Sequence, residues 1–171
     1  KLGDIHLVRF GEIYLAEALL FCGRYQKARR LLRATARTAA VEKQPLLSRM
    51  AHARLQLVEA LLGSERLASG SRGVLEATPK TAVELLEAWN ELFLGLGELV
   101  SGKAGDTRFE RTLEAFTRLG VPFGARFARL AMTLSAVAAR DLACPGELRR
   151  GKAADEEHPH AFLDAAEPLI A

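Results

Sequence analysis

Aromatic side chains make up only 6% of the 171 residues and cysteine occurs twice, and each scarcity closes off a class of structure. Cys22 and Cys144 lie far apart without Cys-x-x-Cys spacing and are too few for a disulfide framework, so two reduced thiols are expected. Neither has a neighbouring His, which leaves a thiol nucleophile without an activator. No run alternates as a strand should, and no apolar run reaches membrane-spanning length. The start lacks a secretory pattern, so the expected location is the cytoplasm. Gly102-Lys103-Ala104-Gly105 is not a phosphate loop, because the leading Gly four residues before a Gly-Lys-Ser/Thr is missing. A net charge of +3 is too small an excess for a dedicated nucleic-acid binder.

What the chain does have is Ala and Leu, within a hydrophobic share of 49%. With Glu and Arg these are good helix formers, so the fold expected is all-α. The most informative stretch is residues 11–37. A first helix ends on Leu19, Leu20, Phe21 and Cys22, Gly23 breaks it, and a second begins at once with Tyr25, Ala28 and Leu32 three and four apart. Those three form one stripe that lies against the first helix, with Ala28 permitting close approach. From Asp4 to Cys22 apolar residues surround the first helix, which then needs cover from later helices or from a preceding repeat.

Leu57-Val58-Glu59-Ala60-Leu61-Leu62 repeats Leu15-Ala16-Glu17-Ala18-Leu19-Leu20 almost residue for residue, 42 positions later. Phe109, Thr112 and Phe116 repeat the offsets of Tyr25, Ala28 and Leu32. Helices are expected at 46–62, from Thr78-Pro79 to Val100, up to Leu119-Gly120, at 123–142 and at 160–170. Residues 65–76, with Gly70 and Gly73, predict a short or bent element, and 145–160 a loop.

The aromatic, small, large stripe resembles the second helix of the tetratricopeptide repeat, and Leu15, Ala16 and Leu19 take the places of that family's Leu, Gly and Tyr. Glu12 stands where a Trp is usual and Thr35 where an Ala is, and Leu96-Gly97 matches the family's Leu-Gly pair. The resemblance implies a single domain over 1–171: a right-handed solenoid of about four hairpins, whose groove, lined by the first helix of each pair, grips a protein or peptide partner. Ending on Ala171 straight after an apolar run, the chain reads as a segment of a longer protein. By resemblance that protein is a bacterial signalling or transcription regulator, and a ligand-sensing domain is the alternative.

The groove candidates are Glu17, Leu20, Phe21, Glu59 and Leu62. Arg29, Arg30, Arg33 and Arg37 form a basic stripe opposite Tyr25, Ala28 and Leu32, which is either a solvated face or a docking surface for phosphate or an acidic partner. Trp89 and Phe93 read as core rather than as groove anchors. Glu84 and Glu87 fall on a polar face and read as solubilising. No catalytic constellation, cofactor motif or metal site is expected; His158 and His160 beside Asp155, Glu156 and Glu157 sit in a polar stretch without the fixed geometry a metal needs.

Overall fold

A computed structural model describes residues 2–64, 70–71, 73–75, 83–103 and 106–143. Within them lie six helices: α1 (Leu2–Phe21), α2 (Tyr25–Val41), α3 (Pro45–Leu61), α4 (Glu84–Val100), α5 (Asp106–Arg118) and α6 (Pro122–Ala143). The described parts of 70–75 are also helical, and no described residue is in a strand. The all-α expectation holds. The Thr78-Pro79 start signal, the loop at 145–160, the terminal helix and the His158–His160 grouping lie outside the described residues.

Each helix packs on the next in sequence, and in addition α1 touches α3 and α4 touches α6. The two stripes read from the sequence are what drive this. Ala28 and Leu32 on α2 are buried and Tyr25 packs half-buried against the core; on α5, Phe109, Thr112 and Phe116 are all buried. Two apolar clusters result. One spans α1, α2 and α3 and takes in Leu75, Phe93 and Leu94. The other joins α4, α5 and α6 around Leu92, Phe109 and Phe116.

Close approach between helices is set by missing side chains. A Cβ on Gly97 would lie 3.3 Å from the Leu57 backbone, so the glycine of the Leu96-Gly97 pair is what brings α4 against α3. Arg49 on α3 meets Glu87 on α4 while Leu57 meets Gly97, so the two helices run in the same direction. Between α4 and α5 the Phe109 ring occupies the space over Gly95, and between α5 and α6 the Phe116 ring lies over Gly124. In both places a Cβ would come within 2.6 Å of the ring.

Five helix ends close with one motif. At the end of α1, the Gly23 N–H donates to Leu20 O and the Arg24 N–H to Leu19 O, which satisfies two of the last carbonyls. The same pair of bonds recurs after α2, α3, α4 and α5. The motif needs a left-handed residue, which is glycine at 23, 63, 102 and 120 but Lys43, with φ 54, after α2.

One expectation needs correcting, and one alternative narrows. Of the two sources of cover for α1, later helices supply only part: Leu7, Val8, Tyr14 and Leu15 remain between 52% and 70% exposed. The face carrying Leu15 is open although its counterpart Leu57 is buried, because Leu57 has α4 over it and Leu15 has no described helix over it. Nor is Glu87 merely solubilising, since both of its oxygens accept from the buried Arg49 guanidinium.

Candidate functional site

The C-terminal ends of α1, α3 and α4 converge with the middle of α6 around an apolar cavity of about 110 Å³. Its walls are Leu20 and Phe21 from α1, Leu57 and Leu61 from α3, Leu96, Leu99 and Val100 from α4, and Phe127, Leu130, Ala131 and Leu134 from α6. Tyr25 on α2 supplies the only side chain in the lining that carries a polar atom. Helical spacing explains the choice of residues: Leu57 and Leu61, Leu96 and Val100, and Phe127, Leu130, Ala131 and Leu134 each follow three- and four-residue steps. Phe21 meets Phe127 edge-on, with ring centroids 6.1 Å apart, so α6 reaches back to the end of α1 and closes one side. Trp89 lies 6.5 Å from the same Phe127 ring and 4.8 Å from Phe116, which ties the cavity wall to the second apolar cluster.

Of the groove candidates, Leu20 and Phe21 line this cavity, and Glu17, Glu59 and Leu62 do not. The two carboxylates are consumed by arginines instead. Glu17 accepts from Arg54 Nε, and the same guanidinium donates to Met50 O at 3.1 Å and to Asn90 Oδ1 at 3.0 Å. Its central carbon sits 4.5 Å from the centroid of the Phe93 ring. Burial pushes the Arg54 guanidinium below its ordinary pKa while Glu17 opposes the shift, and it remains a cation at neutral pH. Glu59 is fully buried, with one oxygen 2.6 Å from Arg33 Nη2 and the other 3.7 Å from Arg29 Nη1. Glu59 is thus enclosed, whereas Glu17 is part-buried.

These pairs belong to a larger set that links neighbouring helices. Arg49 bonds Glu87 at 2.5 and 2.9 Å and Leu75 O at 2.7 Å. Arg108 on α5 bonds Glu91 and Glu98 on α4, and these contacts outweigh desolvation to hold its pKa above the ordinary value. At the outer end, Arg9 binds Glu42 across α1 and α2, which raises its pKa in turn. Glu12 and Thr35 also meet each other. The hydroxyl of Thr35, itself buried, donates to Glu12 Oε2 at 2.9 Å, a polar contact between α1 and α2.

The basic stripe divides. Arg29 and Arg33 turn toward Glu59, while Arg30 and Arg37 are exposed. Trp89 and Phe93 pack into the clusters as core residues, Phe93 buried and Trp89 half-buried. Among the described residues no group of three or more His, Cys, Asp or Glu could hold a metal ion, and no helix is long and apolar enough to cross a membrane.

The leucines of α4 and α6 in the cavity wall were not among the candidates. Periodicity marks a residue as apolar-facing, but it does not tell which apolar faces remain uncovered once neighbours have packed.

Comparison with known proteins adds no assignment: no protein-family model, no curated protein and no solved structure matches this chain.

Proposed function

We propose that this chain is a non-catalytic interaction module of a larger intracellular, bacterial signalling or transcription-regulatory protein, built as a tetratricopeptide-like right-handed solenoid. It grips an apolar segment of a protein partner in the cavity between α1, α3, α4 and α6. The observation that carries this reading is the wall chemistry: eleven apolar side chains and one tyrosine, contributed almost wholly by α1, α3, α4 and α6. Such a wall rewards burial of apolar surface at about 25 cal/mol per Å² and offers almost nothing to a charged ligand. The non-catalytic reading draws support from the carboxylates, since Glu17, Glu59, Glu84 and Glu87 are each engaged by an arginine. General acid–base work would need a carboxyl group left within reach of substrate.

Selection of displayed random peptides against the protein tests this. The expected winners carry bulky apolar residues at three- and four-residue spacing and lose binding to a Leu61→Gln/Leu134→Gln variant. Absence of enrichment, or winners that bind that variant equally well, overturns the reading.

Ligand sensing is a second reading, favoured by the size of the cavity, which is of the order of that needed for one small apolar ring. Selective binding to the folded state would raise the melting temperature with small hydrocarbons in the absence of any peptide.

A further inference from the structure

A second surface lies on the opposite side of α2 from the core, and nothing in the cavity reading uses it. The buried stripe of α2 is Ala28, Leu32, Thr35, Ala36 and Ala39. Lys27, Arg30, Ala34, Arg37 and Val41 are all exposed, Val41 by 81%. At 100 degrees per residue these five fall within about 80 degrees and centre directly opposite the buried stripe. The helix carries no acidic residue anywhere along its length. Its neighbours offer no neutralisation either: Glu59 is spent on Arg29 and Arg33, and Glu42 on Arg9. Among the described residues no carboxylate lies within ion-pair distance of Lys27, Arg30 or Arg37.

This differs from an ordinary solvated face, on which the two signs alternate. The outer side of α5 is of that ordinary kind, with exposed Glu110, Arg111, Glu114 and Arg118 interleaved. Like charges three, seven and ten residues apart on one helix face repel, and a complementary partner removes that repulsion.

We propose that the outer face of α2 docks an acidic helical segment of a partner protein, independently of the apolar cavity. Arg30 and Arg37 stand about 10 Å apart along the axis, which is the separation of residues seven apart on a second helix. Ala34 lies between them as a low point, so a helix seats there with its carboxylates at the two guanidinium forks and an apolar side chain over Ala34 and toward Val41. Those methyl groups give a phosphate backbone nothing to bond. Tyr25, the only aromatic residue of α2, lines the cavity and is absent from this face, so base stacking has no platform here.

The test uses the whole chain and a fluorescein-labelled helical peptide of about 20 residues, Ala-rich, with Glu on one face at seven-residue intervals. Its Gln counterpart and a single-stranded oligonucleotide of equal charge serve as the other probes. The Glu peptide is expected to bind at low ionic strength and to weaken as salt rises, and the Gln peptide is not. Arg30→Glu/Arg37→Glu should weaken binding by at least about tenfold with helicity unchanged. Arg126→Glu/Arg129→Glu on exposed positions of α6 alters net charge equally and should leave binding within about twofold. Failure of the Glu peptide to bind overturns the proposal, as does equal weakening by the α6 pair, which marks attraction by overall charge alone. Tighter binding of the oligonucleotide than of the peptide overturns it in favour of nucleic acid. A Leu61→Gln/Leu134→Gln variant that keeps full peptide affinity shows that this face and the cavity act separately; loss in that variant places the peptide in the cavity and contradicts the assignment.

Discussion

The α1–α3 region and the α4–α6 region hold their helices together by different means. In the first, small and aliphatic residues such as Ala16, Ala28, Ala36 and Ala53 bring helices close, and polar pairs cross the interfaces, Glu12 with Thr35 and Glu59 with Arg33. In the second, whole phenylalanine rings fill notches over glycine, Phe109 over Gly95 and Phe116 over Gly124. The comparison teaches that a repeated helical hairpin does not dictate a repeated interface. The same aromatic, small, large spacing serves one region where contact is made by small residues and another where it is made by rings. The cavity sits where the two regimes meet, with walls from both.

That contrast makes separable predictions. The largest effect is expected from Phe109→Ala. Its ring is fully buried, and removing it empties the space over Gly95, at a cost of roughly 3–5 kcal/mol by chemical denaturation. A loss below about 1 kcal/mol would mean that the region closes over the gap, against the close-packed picture.

Next comes Arg54→Met, which leaves Glu17 and the Asn90 carbonyl without their donor and should cost about 3 kcal/mol. The added substitution Glu17→Leu should return most of that loss, because a buried pair is defined by mutual need rather than by net gain. A double variant no better than the single one would show that Arg54 acts through its packing on Phe93 instead.

Gly95→Ala is expected to destabilise by about 2 kcal/mol, since the new methyl group must displace the Phe109 ring. Paired with Phe109→Leu the penalty should shrink, and a double-mutant cycle reads the coupling. Smallest and opposite in sign is Lys43→Gly. At φ 54 a glycine has no Cβ to strain, and stability should rise by about 1 kcal/mol. A fall there would indicate that the Lys43 side chain makes a contribution exceeding the backbone relief.

Much of the helical framework was legible in the chain, because stripes and breaks are local. Gly23 and Gly120 stop helices where they should, and the stripes at Tyr25–Leu32 and Phe109–Phe116 face inward. Leu20 and Phe21, proposed for the groove, fall in the cavity wall because they close α1 on its apolar side beside the Gly23 turn. The pairing of Glu17 and Glu59 with arginines was not legible. Their arginines lie 37 and 26 residues away, and only the packed register decides which cation reaches which carboxylate. The same limit hid Gly95 and Gly124, since a glycine inside a helix shows no sign of the ring that rests on it until the neighbouring helix is in place.

The claim that partners enter the cavity, and not the open apolar face of α1, is tested most directly by methyl-resolved NMR of the chain titrated with a selected peptide. Perturbations confined to the methyl groups of Leu57, Leu61, Leu96, Leu130 and Leu134, with those of Leu7, Val8 and Leu15 unmoved, are the predicted result. The reverse pattern would contradict the account.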